Sequence, residues 1–351
     1  MNAPAAVAPL SVHLAELDDS RLDPFVRGHA QGRFFHLPKW TKAVETGTGQ
    51  KGHYLVAEQG GAVRGVLPLS EIRSPLFGNA LVSAGFGTGG GIIAEDDRAA
   101  DALARAAWDL AGRLGCTTAE LRGGAVPEGW QASSGTYANF SRALPTTTDS
   151  LLASIPKRQR AEIRRALASD LESSSGTDRR HRDAHYRVYA EGVRNLGTPV
   201  FPRRLFEAML DAFGDEAWIH VVWKDGRPVA ALLGFNYAGG CTPYWGGGTR
   251  EARQCRANDL VQFEAMRRGL EAGCTHADFG RSKIGSGPWA RKRIWHFDET
   301  ALTYAVRTAD GKVPRAVNPL DPKYRLKIAA WQKLPLWVAN RIGPLISRGL
   351  G

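Results

Sequence analysis

Two stretches of the chain alternate apolar and polar residues at strand spacing on either side of a tight turn: HYLVAEQGGAVRGVLPLSEI (53–72) and WIHVVWKDGRPVAALLGFNY (218–237). In each, Gly-Gly or Asp-Gly separates two strand-forming runs, which predicts a hairpin. A strand, a glycine-rich turn at a glycine triplet, a stretch of helical period, a Gly-Cys pair and another strand are predicted after each hairpin. In the first copy Ala102, Leu103, Ala106, Ala107, Leu110 and Leu114 recur at helical spacing after the capping-type pair Asp96-Asp97. In the second, Leu260, Phe263, Met266 and Leu270 follow Asn258-Asp259 in the same way. Gly115 and Gly273 fit as helix stops, and Cys116 and Cys274 as small buried residues beside strands.

The order repeats at a nearly constant offset, Gly89–Gly91 matching Gly246–Gly248 and Gly115-Cys116 matching Gly273-Cys274. One such match could arise by chance; several in the same order favour duplication. The predicted fold is therefore α+β, two similar domains in tandem, each with a mixed, mostly antiparallel sheet. The expected divisions are 1–145 and 146–311, joined near the Ser-, Thr- and Pro-rich PTTTDSLLASIP (145–156), with a C-terminal segment at 312–351.

Charge narrows the partners. The 351 residues hold 46 Lys and Arg against 35 Asp and Glu, a net charge of +11. That excess favours phosphate-bearing substrates, nucleic acid or an anionic membrane surface. The cysteines Cys116, Cys241, Cys255 and Cys274 form no CxxC pair and have no His at zinc spacing, so neither a metal site nor a disulfide framework is expected. The start lacks a basic region, its short apolar run is broken by Pro4 and Pro9, and no run reaches the about 18 apolar residues of a spanning helix. A cytoplasmic location is expected.

The cations concentrate in DFGRSKIGSGPWARKRIWHF (278–297). Together with His181-Arg182-Asp183 its first letters resemble kinase motifs, but Val188 stands where a kinase catalytic loop needs Asn, and no glycine-rich ATP loop precedes. The stretch reads as an anion cradle or as a solvated basic turn: Arg281 and Lys283 at a strand end, backbone N–H groups exposed at Gly285 and Gly287, then Arg291, Lys292 and Arg293. Asp278 is placed either to take a proton from an amine or to pair with Arg281. Asp259 reads as a helix cap or a substrate contact, and Tyr244 as a packed ring or a proton donor to a leaving group. Lys39, beside Trp40 at a helix start, reads as a snorkelling lysine or a substrate contact.

FFHLPKW (34–40), LFGNALVS (76–83), NLGTPVFPRRLF (195–206), GGGT with AND (246–249, 257–259), DFGRSK (278–283) and NPLDPKYRL (318–326) resemble the FemAB-like branch of the GNAT-type N-acyltransferases, in particular its PEP-CTERM/exosortase- and exopolysaccharide-associated group. The resemblance implies two tandem GNAT-like domains and transfer of an acyl or aminoacyl group to an amine, in exopolysaccharide or cell-surface biogenesis. It implies no tightly bound cofactor; acyl-CoA or another activated acyl or aminoacyl donor would be a co-substrate. It also implies substrate contact by a basic residue matching Lys292, and a binding role for Asn258 within AND. Relatives carry Lys followed by Trp-Gly-Phe; here Lys292, Trp295 and Phe297 remain and His296 takes the glycine position. The QxxGxG/A loop of acetyl-CoA enzymes is absent, as is the long coiled-coil arm of some Fem factors.

KRQRAEIRRALASDLE (157–172) predicts one short basic helix without the interleaved aromatics of a nucleic-acid surface. Nucleic acid is thus expected only as tRNA carrying a donor group. The segment 312–351 sets eight Lys and Arg against one acid, Asp321, among apolar anchors such as Trp331, Trp337, Ile342 and Leu345. It predicts short helices, cut by Pro335 and Pro344, that pack on the domains or touch the inner membrane face. The expected partner is a phosphate-bearing small molecule, glycan or peptide. The alternative is a non-catalytic adaptor that binds a polyanion or a lipid-linked glycan.

Overall fold

The computed structural model describes residues 8–75, 78–312 and 322–349. Parts of the family-like segments 76–83 and 318–326 lie outside the described residues. The chain begins with β1 (Leu10–Leu14), α1 (Leu22–Gly28), α2 (Pro38–Thr48), β2 (Lys51–Gln59), β3 (Ala62–Ser74), β4 (Gly78–Ser83) and β5 (Ile93–Ala94). Next come α3 (Asp97–Arg113), β6 (Thr118–Arg122), β7 (Gln131–Ser133), β8 (Tyr137–Ala143), α4 (Thr148–Ser154), α5 (Lys157–Leu167) and β9 (Glu172–Ser175). They are followed by α6 (Arg179–Leu196), α7 (Arg203–Phe213), β10 (Ala217–Lys224), β11 (Arg227–Tyr237), β12 (Gly240–Gly248), α8 (Arg250–Gln254) and α9 (Ala257–Glu271). The last elements are β13 (His276–Lys283), α10 (Gly287–Ile294), β14 (Asp298–Ala301), β15 (Tyr304–Thr308), α11 (Pro322–Lys333) and α12 (Leu336–Ser347).

Two compact units divide these elements: the described residues within 1–134, 303–315 and 348–351 form the first, and those within 135–302 and 316–347 the second. The first sheet runs β1-β2-β3-β4-β6-β15-β7, with β5 beside β3; the second runs β14-β8-β13-β12-β11-β10-β9. Strand β8, which precedes residue 145, belongs to the second sheet, and β15, which precedes residue 311, to the first. The units thus interleave along the chain instead of meeting at one boundary.

Both sheets are mixed and mostly antiparallel, as the duplication predicted. In each unit a hairpin leads to a strand, a helix and a second strand that lies parallel beside the first: β4 with β6, and β12 with β13. Local chemistry accounts for much of this. Asp225 and Gly226 take φ of 49° and 69°, the left-handed pair that a two-residue hairpin turn requires. The Asp96 carboxylate accepts the Ala99 N–H at 2.8 Å and starts α3. Helix α3 buries Ala99, Leu103, Ala107 and Leu110 against Leu55, Leu67, Leu81 and Leu121. Helix α9 buries Leu260, Val261 and Ala265 with Trp218, Val222 and Leu232. Phe140, Ile155, Ile163, Phe279, Trp295 and Phe297 form a further cluster in the second unit.

Three local expectations change. The basic helix ends at Leu167, and the Ser-rich Glu172–Ser175 becomes strand β9, paired with β10. Gly246–Gly248 lie inside β12 and not in a turn. Asp259 sits in the first turn of α9 and does not cap it, because Arg256 takes a left-handed φ of 66° and the helix opens at Ala257.

Candidate functional site

Strands β12 and β13 pair only through Gly240 with His276 and Cys241 with Ala277, yet β12 continues to Gly248 and β13 to Lys283. Just beyond the last shared pair, each strand has a bulge toward its other neighbour. On β12, Leu233 opposes Trp245 and Gly234 opposes Pro243, so Tyr244 is the extra residue. On β13, Asp278 opposes Ser141 and Arg281 opposes Asn139, which leaves Phe279 and Gly280 against Phe140 alone. A bulge bends its strand and sharpens its twist, and bulges recur beside active sites. Two bulges at one level part the strands, and residues 242–248 face 278–283 with no ladder between them.

Asp278 and Lys292 hold the β13 bulge in shape. Gly280 takes a φ of 63°, a left-handed conformation that glycine adopts without a Cβ clash. Asp278 Oδ1 accepts the Gly280 N–H at 2.8 Å and the Asn139 side-chain amide at 3.0 Å. Lys292 Nζ donates to the carbonyls of Phe279, of Gly280 at 3.0 Å and of Arg281 at 3.4 Å, and lies 5.4 Å from the Phe140 ring centroid. Its stem is half-exposed, but the ammonium is deep. Burial pushes it down to about 8, a shift that the Asp278 carboxylate opposes.

The other cations of the segment go to separate partners. Arg281 lies over the Tyr137 ring at 4.6 Å. Arg291 donates to Asp259 at 2.9 Å, joining α10 to the first turn of α9. Burial raises the Asp259 carboxyl while Arg291 opposes the rise. Arg293 stacks on Trp289 at 4.7 Å and pairs with Glu299 at 3.5 Å. Lys283 is half-buried and its amine is lowered by desolvation. Gly285, with φ of 80°, and Gly287 are exposed; between them Ser286 caps α10 and donates to the Lys283 carbonyl at 2.6 Å.

On the β12 side Tyr244 is half-buried, its ring 4.7 Å from Trp245 and 6.2 Å from Phe235. A Cβ on Gly246 would lie 2.3 Å from the Ala231 carbonyl oxygen, and one on Gly248 2.1 Å from Asn258 Oδ1. These glycines therefore permit the close approach of β11 and of the first turn of α9, which places Asn258 against the strand. The second unit thus gathers Tyr244, Asn258, Asp259, Asp278, Arg281, Lys283, Gly285, Gly287 and Lys292. Lys39 is half-buried at the start of α2 in the first unit, beside fully buried Trp40, whose indole N–H donates to the Gly85 carbonyl at 3.0 Å.

Two contributors escaped the sequence reading. Asn139 carries no motif and becomes visible only through the β8–β13 register. His185 donates from Nε2 to the Trp245 carbonyl at 2.9 Å beside the Tyr244 bulge, and burial holds it neutral, down to about 4. The helical spacing of His185, Val188 and Tyr189 marks an inward face but not this bond. The kinase-like His181-Arg182-Asp183 lies on α6. Nearby, Arg179, Arg182, Asp183, Arg203 and Glu207 line a hollow of about 610 Å³. Its charges pair with one another or with Asp211, and it is separate from the bulged strands.

The matching place in the first unit is stitched shut. Ser83 Oγ accepts the Arg122 N–H at 2.7 Å, and the buried Arg122 guanidinium donates to the Gly87 carbonyl at 2.9 Å. Among the described residues no group of three or more His, Cys, Asp and Glu could hold a metal ion.

Residues 157–291 match the acetyltransferase (GNAT) domain family, a span that contains β12, β13 and the first half of α10. No curated protein matches the chain. Among solved structures, FemX is similar with a TM-score of 0.65 and 16% identity, over 84% of this chain and 96% of that one. A tandem GNAT protein from the clavulanic acid biosynthesis pathway gives 0.55 and 13%, over 86% and 99%. The C-terminal domain of a putative lysylphosphatidylglycerol synthetase from Agrobacterium fabrum gives 0.57 and 14%, over 83% and 91%. The likeness is one of fold, and the chain has a tandem GNAT-like α+β architecture whose second half carries the match to the acetyltransferase domain.

Proposed function

We propose that the protein is an N-acyltransferase that works at the opening between β12 and β13. The observation that carries this reading is the paired bulging of two parallel strands inside the segment that matches the acetyltransferase domain. Diverging strands offer backbone N–H and C=O groups to an extended donor arm, as a sheet edge does to a peptide. An amine nitrogen attacks the acyl carbon there. A C–N bond forms, the bond to the donor's leaving sulfur or oxygen breaks, the amine gives up one proton and the leaving group gains one. Positioning supplies much of such a rate, through groups fixed before the reaction. Tyr244, on the β12 bulge, is the proposed donor to the leaving group. Lys292 and Asp278 act as positioning residues that keep the β13 bulge open. Arg281 and Lys283, with the exposed turn at Gly285 and Gly287, are the proposed contacts for donor phosphates; Asn258 and Asp259 border the same opening.

Structures of this fold include a tandem GNAT protein and a domain of a lysylphosphatidylglycerol synthetase, so the proposal admits both acyl and aminoacyl donors. The acceptor is proposed to be an amine of a glycan or peptide; a place in exopolysaccharide biogenesis rests on the family-like segments. A polyanion-binding adaptor is a weaker reading, because Arg291 and Arg293 are already paired with Asp259 and Glu299. The test is native mass spectrometry of the purified chain with acetyl-CoA, longer acyl-CoAs, acyl-carrier protein and aminoacyl-tRNA, followed by transfer assays with amine acceptors. A one-to-one complex lost on disturbing the bulge supports the transferase. Failure of every donor, alongside salt-sensitive binding of polyanion, would establish the adaptor.

A further inference from the structure

Helix α12 meets the second unit through its smallest residues. Ala339, Gly343 and Ser347 are buried, and a Cβ on Gly343 would come within 2.8 Å of the Val200 backbone nitrogen. Three of its large apolar residues point the other way: Trp337 and Leu345 are each 72% exposed and Ile342 is 40% exposed, while Leu336, Val338 and Ile346 are half-buried. A helix that packs only on a protein core shows the reverse arrangement. On α11, Leu326 is 84% exposed, and Leu326, Trp337 and Leu345 are the three most exposed large apolar residues among those described. Both helices are nonetheless anchored. Arg194 donates to the Gln332 carbonyl and Gln332 to the Asn195 carbonyl, each at 3.0 Å, fixing α11 to α6. The outward face is therefore held in place and is not a frayed end.

Charge identifies the occupant. Arg325, Lys327, Lys333 and Arg341 are all exposed on these helices, and no Asp or Glu occurs between residues 322 and 349. Trp and Leu amid cations, with no acid to repel lipid phosphate, is the composition of an interfacial segment. Twelve residues, with Pro344 inside, make α12 too short to cross a bilayer, which takes about 20. No helix among the described residues is long and apolar enough to span. We propose that α11 and α12 form a docking surface for an anionic lipid bilayer, with Trp337, Ile342, Leu345 and Leu326 inserted at the headgroup level and the surrounding cations on lipid phosphates. This brings the second unit to the membrane face, within reach of amphiphilic acceptors.

The test is co-sedimentation of the full chain with vesicles of phosphatidylcholine alone and of phosphatidylcholine with phosphatidylglycerol. Binding to the anionic vesicles only, weakening as salt rises, is the expected result. The double variant Trp337→Ala/Leu345→Ala keeps every charge, and because both residues are exposed its circular dichroism and melting should match the parent; it should bind about tenfold more weakly, since inserted apolar area is lost. Wild-type protein that ignores anionic vesicles would overturn the proposal. So would a double variant that binds as well as the parent, which would reduce the effect to net charge. A wild-type dimer that the same variant makes monomeric would assign the face to a second copy.

Discussion

Asp278 and Lys292 grip the same glycine: Oδ1 of Asp278 accepts the Gly280 N–H at 2.8 Å, and Nζ of Lys292 donates to the Gly280 carbonyl at 3.0 Å. The two residues thus act on the β13 bulge together, and this separates an architectural Asp278 from a general base. Both described donors reach Oδ1, an oxygen that asparagine retains. Asp278→Asn should therefore keep the fold within about 1 kcal/mol and most of the transfer activity, while Asp278→Ala should cost about 2–3 kcal/mol and abolish transfer. Urea unfolding and single-turnover transfer of both variants decide it. Asn as inactive as Ala, in a stable protein, would make Asp278 the base.

Lys292→Met takes the Nζ donor away from the carbonyls of Phe279, Gly280 and Arg281. A loss of about 2–4 kcal/mol is expected, with donor binding reduced in parallel. The pH dependence adds a second signature. The folded value of about 8 lies below the ordinary 10.5, so between these limits the unfolded chain binds more protons and stability rises with pH. The parent should gain stability relative to Lys292→Met from pH 8 to 10.5, in urea titrations at matched salt. Equal curves would remove the buried ammonium from the account.

The hairpins, the α3 cap and the repeat were legible because their signals are local: Asp225-Gly226 dictates a turn, and Asp96 reaches an N–H three residues away. The interleaving was not. YANFSRA in β8 and YAVRT in β15 have the same alternating look, and nothing within either says which sheet it completes. The cationic loop was legible as charge but not as partnership, since Asp259 is distant in sequence from Arg291. The bulges were invisible for the same reason. A bulge is a count of residues on one strand against another, and it exists only once Asn139 faces Arg281.

His296 takes a φ of 52°, the left-handed region, at the position where family-like sequences carry glycine. A side chain there costs about 1–2 kcal/mol, of which glycine's greater freedom in the unfolded chain returns a part. His296→Gly should raise stability by about 0.5–1 kcal/mol, and His296→Val should lower it, since a branched Cβ tolerates this region least. Thermal unfolding of the pair checks the prediction; glycine less stable than histidine would mean the side chain makes a contact that outweighs its backbone.

His36 and His185 make the fold acid-sensitive in both units. His36 accepts the Arg33 N–H at Nδ1 and meets the Gly91 carbonyl through Nε2, each at 3.0 Å, so a single neutral tautomer satisfies both bonds. His185 donates to the Trp245 carbonyl and lies buried against the Tyr189 and Phe206 rings. Burial lowers both to about 4, from an ordinary 6.5. Between these values the unfolded chain holds protons that the folded chain does not, so stability is lost as pH falls from 6.5 toward 4. Each histidine contributes a slope of up to about 1.4 kcal/mol per pH unit over that window. His185→Gln keeps a donor for the Trp245 carbonyl but cannot titrate. Urea unfolding between pH 6.5 and 4 should show a shallower decline for this variant, with donor binding surviving to lower pH because the Tyr244 bulge stays supported. An unchanged slope would show that His185 is already charged in the fold, and that the carbonyl bond at the bulge is made by an imidazolium.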